Sequence, residues 1–237
     1  MKITISALSL AGIVTSHAAL FTSGEIEVEV AFNDDTNQLE LVGLLLEGGV
    51  LDGNTLTENQ EMELDQFQIL GGANVIESFP VDVAASGVTA GQDLWVLPQN
   101  EDFSAPFVGI ASADLNAADF NGNITFSLGS VASPSGNGVF SVLSFEPDGS
   151  TSPIFSSLGA ELTDSNNELI SEFSEQHVNW TFTEPGAWEV EFTATGDHVT
   201  LGELSATGTV QFLIVPEPSS SLLIALSAIG FISKRRR

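Results

Sequence analysis

The chain has 237 residues, with 32 Asp and Glu against 5 Lys and Arg, a formal charge of −27 and no cysteine. That balance excludes nucleic acid and anionic membrane surfaces as partners of the folded body. The missing cysteines exclude a disulfide framework. Hydrophobic content of 43% argues against general disorder even at this charge.

The basic residues are Lys2, Lys234, Arg235, Arg236 and Arg237, and every acidic residue except Glu217 falls between positions 20 and 215. The stretch 20–215 thus holds no Lys or Arg, and its formal charge exceeds that of the whole chain. Side-chain ion pairs there are confined to His177 and His198. Stability must come from apolar burial and hydrogen bonds, against self-repulsion.

Residues 1–19 read as a signal peptide. Lys2 is the basic start, Ile3 to Val14 the apolar region, and Ser16-His17-Ala18 or His17-Ala18-Ala19 the small-residue cleavage site. From Glu25 to Phe32 the pattern alternates, Ile26, Val28, Val30 and Phe32 against Glu25, Glu27 and Glu29, and predicts a half-buried strand. Asn33 to Asn37 is a turn cluster, and Leu39 to Leu46 pairs back as a hairpin. Gly48 to Met62 reads as loop, with a helical turn at Glu58 to Glu63. Leu64–Leu70, Asn74–Val83, Asp93–Leu97 and Phe107–Ala111 follow as short strands. Ser112 to Ala118 reads as a helical turn capped by Ser112. Asn123–Ser127, Gly138–Phe145 and Pro153–Leu158 continue the strand pattern. His177 to Phe182 runs into Glu184-Pro185-Gly186, which reads as the turn of a hairpin whose second strand carries Trp188, Val190 and Phe192. A last strand covers Ala206 to Ile214. Many short strands and no long 3.6-residue period predict an all-β, antiparallel sandwich of the Ig-like or jelly-roll-like kind over residues 20–215.

The end of the chain has three parts: Pro216-Glu217-Pro218, an uncharged run from Ser219 to Ser233, and Lys234 with Arg235, Arg236 and Arg237. As a helix the run is about 22 Å long, short of the roughly 30 Å hydrocarbon core. It crosses where the bilayer thins or the basic residues snorkel, and those residues stay cytoplasmic. This arrangement over 216–237 resembles the PEP-CTERM sorting signal of Gram-negative bacteria. The resemblance implies a short transmembrane helix at 219–233 and cleavage by an exosortase-type membrane protease. It also implies transient insertion in the inner membrane and a final place at the cell surface or in the extracellular matrix. With the signal peptide it adds the Sec export machinery as a partner.

The segment from His177 through Asn179, Trp180, Phe182, Pro185 and Gly186 to Trp188 resembles the signature of the choice-of-anchor M domain, related to actinobacterial surface-anchored repeat proteins. Looser matches at Leu94–Gln99, Phe107–Ile110 and Ser135–Phe140 extend it over most of the body. That pattern opens on a His-x-His pair. Here Glu175 stands in the first place and His177 in the second, which weakens a metal role by analogy.

Two sets of residues are candidate metal ligands. Glu175 and His177 share a strand face, but two ligands are too few for zinc. The bland alternative is that His177 and Asn179 hydrogen-bond the loop around Trp180. Asp114, Asp119, Asn121 and Asn123 surround Gly122 like part of a calcium loop, without the acid a full loop needs at its twelfth position. Asp34-Asp35 is a further acidic pair. Asx turns account for these as well. No catalytic set emerges: there is no Gly-x-Ser-x-Gly elbow, Cys nucleophile or phosphate loop. Trp95, Trp180 and Trp188 read as core before they read as a sugar platform.

The sequence therefore predicts a non-enzymatic, exported surface or matrix protein, with no cofactor beyond weak calcium. Extracellular polysaccharide is a candidate partner. A divalent-metal- or carbohydrate-binding accessory protein is the first alternative and a glycan-active hydrolase the second.

Overall fold

The computed structural model describes residues 18–101, 104–146, 150–159 and 168–216. Most of the expected signal peptide, the expected span at 219–233, and Glu217, Pro218, Arg235, Arg236 and Arg237 lie outside the described residues. No helix among the described residues is long and apolar enough to cross a membrane.

The described chain is all-β. Its strands are β1 (Ala19–Asn33), β2 (Gln38–Leu45), β3 (Val50–Leu51), β4 (Asn54–Thr55), β5 (Gln60–Glu63), β6 (Phe67–Gly71), β7 (Ile76–Ser78), β8 (Asp93–Leu97) and β9 (Pro106–Ala111). They continue as β10 (Ile124–Ala132), β11 (Phe140–Phe145), β12 (Thr151–Ser156), β13 (Glu168–Ser171), β14 (Glu175–His177), β15 (Asn179–Phe182), β16 (Gly186–His198) and β17 (Gly202–Ile214). Three short 3-10 turns are the helical elements described.

Two sheets share one core. The larger runs β13-β10-β16-β17-β6-β1-β2-β5, with β3–β4 and β9–β14 branching from β1; the smaller runs β12-β11-β15-β8-β7. β1 serves two ladders. Its first residues pair with β3 and β6, and from Gly24 onward it pairs with β2 and β9. Gly24 makes that switch at φ +92°, and a Cβ there would lie 2.5 Å from the Cα of Gly49, so only glycine fits. Trp180 and Phe182 of the smaller sheet meet Phe212 of the larger at ring-centroid distances of 5.6 and 4.9 Å. Phe140 and Phe155 meet Phe192 in the same layer. Burying these rings, at about 25 cal/mol per Å² of apolar surface, replaces the ion pairs the composition denies.

The expected antiparallel sandwich needs correction. β1 pairs with β6 and β9 in parallel, and β17 pairs with β6 in parallel. Neighbours in sequence pair antiparallel through tight turns, whereas these partners are joined by long connections, which local sequence patterns do not reveal. Glu184-Pro185-Gly186 is not a hairpin turn either. β15 belongs to the smaller sheet and β16 to the larger, so the segment crosses between layers, and Phe182 and Trp188 meet inside the core at 5.4 Å. The long hairpin is β16 with β17, paired from Gly186↔Ile214 to His198↔Gly202. The helical turn expected at Glu58–Glu63 contains β5, an edge strand on β2. The turn near Ser112 forms at Ala117–Asp119, where the Asn116 side chain accepts from the Ala118 N–H. Of the strand expected over 74–83, Ile76–Ser78 pairs with β8, and Val83 forms an isolated bridge with Val88.

Candidate metal centre

Strand alternation sends Ile26, Val28 and Val30 into the core and Glu25, Glu27 and Glu29 to the opposite face. That acidic face is largely covered, where a half-buried strand would leave it solvated: Glu27 is 6% exposed and Glu29 3%, while Glu25 stays partly exposed. The register explains the cover. β9 sets Phe107, Gly109 and Ala111 beside Glu25, Glu27 and Glu29. β14 then sets His177 beside Gly109 and Glu175 beside Ala111. A Cβ at Gly109 would lie 3.3 Å from the His177 ring and 3.4 Å from Cγ of Glu27. The glycine therefore opens the gap into which imidazole and carboxylate fold from either side.

His177 stacks on Phe107 with centroids 3.9 Å apart. Its Nε2 lies 2.9 Å from Oε1 of Glu25 and also contacts Oε1 of Glu175. One ligand atom from each of Glu25, Glu175 and His177 falls within 4.8 Å of the others. Glu27 is hydrogen-bonded to Glu175. Asp114 continues the acidic line, its backbone N–H and side chain both bonding Glu29.

Such crowding holds protons. Burial pushes the Glu27 carboxyl up to about 8, reinforced by the charge of Glu175. Burial pushes Glu29 up to about 7, reinforced by Asp114 and Glu61. Glu25 is raised by burial, which outweighs its bond to His177. No Lys or Arg exists between residues 20 and 215 to neutralise the group, so protons or an external cation must. One imidazole and two carboxylates form a mixed nitrogen–oxygen set that suits zinc or another first-row dication. Calcium takes six to eight oxygens and fits this trio poorly.

Of the residues singled out from sequence, the fold joins Glu175 and His177 and adds Glu25 and Glu27, which sequence reading missed. The signal for them was three glutamates on one strand face with no basic residue to answer them. Asn179 does hold the loop near Trp180, accepting from Gln99 N–H at 3.0 Å and donating to Gln99 Oε1 at 2.6 Å, whereas His177 turns to the carboxylates. Asp114, Asp119, Asn121 and Asn123 are exposed, and among the described residues neither aspartate belongs to a group of three or more His, Asp or Glu ligand atoms. Asn121 donates to Asp197 at 3.3 Å, and Asp119 accepts from Asn116 at 2.9 Å. Asp34, Asp114, Asp119 and His198 line a cavity of about 270 Å³ floored by Leu115 and Phe120. At the first acidic pair, the Asn33 side chain caps the turn by accepting from Asp35 and Thr36 N–H. Trp180 and Trp188 are fully buried and offer no sugar platform.

Among known proteins, the family model for the PEP-CTERM protein-sorting motif matches residues 215–237. No curated protein matches the chain, and no solved structure does. The motif supports export, processing by an exosortase-type enzyme, and a cell-surface or extracellular fate.

Proposed function

We propose that this exosortase-sorted chain is a non-enzymatic surface or matrix protein whose body binds a transition-metal dication at Glu25, Glu175 and His177. One observation carries this reading: an imidazole nitrogen and two carboxylate oxygens within 4.8 Å of one another, in a body without Lys or Arg. The metal-binding accessory role thereby moves ahead of a purely passive one, and zinc-like ions ahead of calcium. The choice-of-anchor M resemblance is consistent with it. Glu175, standing where that pattern has its first His, keeps a ligating atom next to His177. Three protein ligands leave coordination positions for water or for a donor group from a partner such as extracellular polysaccharide.

Thermal unfolding of the exported chain in EDTA, zinc, manganese and calcium at matched ionic strength tests the proposal. A saturable shift of several degrees with zinc or manganese, lost in His177→Ala and Glu175→Gln, is expected. Equal small shifts with every salt would mean charge screening alone and would refute a site.

A further inference from the structure

Past Glu29, β1 ends beside the cavity of about 270 Å³ that Phe32, Asp34, Asp114, Asp119, Phe120 and His198 help to line. The inside of this cavity is ring and aliphatic carbon. His198 stacks on Phe32 with centroids 5.3 Å apart and meets Phe120 edge-on at 5.4 Å. Leu115 and Phe120 are 6% and 7% exposed. The rim is carboxylate, with Asp34, Asp114 and Asp119 all exposed. The walls are tied to one another. Val199 N–H donates to the Asp119 carbonyl at 2.8 Å and Asn121 N–H to the Asp197 carbonyl at 2.7 Å, which holds the end of β16 against the turn at Ala117–Asp119. The Asn116 amide orients the Asp119 carboxylate at 2.9 Å. Nδ1 of His198 accepts the N–H groups of Thr200 and Leu201 at 3.2 and 3.3 Å, so the ring carries its proton on Nε2 as a donor. Val199 and Leu201, 46% and 44% exposed, extend the apolar surface just beyond His198.

We propose that this cavity binds an amino sugar with a free amine, as one unit of a cationic polysaccharide. The site is separate from the metal trio and shares with that reading only the exported setting, in which such a polymer is met. The carboxylates alone would gather any counterion; the rings narrow the choice. With no Lys or Arg between residues 20 and 215, a uronate, sulfate or phosphate would meet three carboxylates and no compensating charge. An ammonium answers the rim by charge and the faces of Phe32 and Phe120 through cation–π attraction. A bare alkylammonium, however, offers the Nε2–H of His198 no acceptor. A sugar unit supplies all three complements: C–H groups for the rings, an ammonium for Asp34 and Asp119, and hydroxyl oxygens for His198. The volume falls just below the roughly 300–1,000 Å³ of sites for drug-sized ligands and suits a single ring. The exposed Val199 and Leu201 leave apolar surface for a neighbouring unit of the same polymer.

Calorimetric titration of the exported chain tests the proposal, in EDTA so that the metal trio stays empty, and at pH 6, where the amine is protonated. The probes are a fully deacetylated glucosamine oligosaccharide and its N-acetylated counterpart of equal length. Saturable binding of the first and none of the second, whose amide carries no charge, is expected. Asp34→Asn and Asp119→Asn should each weaken binding about fivefold. Phe32→Leu should weaken it to a similar extent with no change of charge. Glu47→Gln makes the same charge change at the opposite end of the β1–β2 hairpin and should leave the affinity as it was. Failure of either oligosaccharide to bind, equal binding of both, or equal weakening by Glu47→Gln overturns the inference. Competition by trilysine as strong as by the deacetylated oligosaccharide would show a site for cations alone and overturn the sugar assignment. The metal proposal stands or falls separately, because none of these variants touches Glu25, Glu175 or His177.

Discussion

Nε2 of His177 lies 2.9 Å from Oε1 of Glu25, although 152 positions separate the two residues. β9 stands between their strands, and its Gly109 has no side chain to keep them apart. Gly109→Ala therefore tests the geometry. The new Cβ would lie 3.3 Å from the His177 ring, close enough to displace the ring by a few tenths of an ångström. The expected result is a loss of about tenfold or more in zinc affinity by calorimetry. The metal-free fold should change by only about 1 kcal/mol. Unchanged affinity would show that the ring does not ligate from this position.

The buried glutamates set a pH dependence. A carboxyl titrates near 4.5 when free, but Glu27 is pushed up to about 8 and Glu29 to about 7. Folded-state values above the unfolded ones mean that their contribution to stability is full below about 4.5. It falls as pH rises through about 7 and 8, then levels off. Metal-free protein should lose on the order of a few kcal/mol between pH 5 and pH 9 in urea unfolding. Glu27→Gln removes one of these carboxyls and should flatten the decline, so that the variant is the more stable protein at pH 9. Parallel curves for the two proteins would show that Glu27 ionises without cost.

Local features of the sequence reported local structure well. The alternation at Glu25 to Phe32, the Asn33–Asn37 turn and the short strands at Asp93–Leu97 and Phe107–Ala111 all appear. The sequence could not tell which strands meet. Nothing near Glu25 indicates that β9 arrives in parallel from 80 residues on, or that β14 follows it, so Glu25's place in the metal trio was invisible. The same limit misled at Pro185-Gly186. Turn chemistry fixes a reversal of chain direction, but it does not state whether the next strand joins the same sheet or the opposite one. Glu175 and His177 were found because two residues on one strand share a face whatever their partners.

Trp180 joins the two sheets and anchors β9. It is fully buried, meets Phe192 and Phe212 at 5.6 Å, and donates its indole N–H to the carbonyl of Val108 at 3.0 Å. Trp180→Ala should cost about 3–5 kcal/mol. Trp180→Phe keeps a ring but leaves the Val108 carbonyl without this donor, and should cost about 1–3 kcal/mol. Because Val108 lies next to Gly109, the Phe variant should also weaken the zinc-dependent shift at His177. Calorimetric melts of each variant with and without zinc separate the two effects.

The crossing between sheets gives the sharpest test of topology. Gly186 holds φ at +131°, and a Cβ there would lie 2.5 Å from Cγ of Pro134. Nearby, Oε1 of Glu184 accepts the Ser135 N–H at 2.9 Å, which holds its carboxyl below the usual range. Trp188 donates to the Glu184 carbonyl at 3.1 Å. Gly186→Ala should thus cost about 2–4 kcal/mol, part from the backbone region and part from the collision. Removing the proline ring relieves only the second part. In a double-mutant cycle Pro134→Gly should recover about 1 kcal/mol or more of the Gly186→Ala loss. A hairpin at Pro185-Gly186 would hold β15 and β16 side by side and give Pro134 no reason to lie against Gly186. Strict additivity of the two substitutions would therefore favour the hairpin, and coupling the crossing.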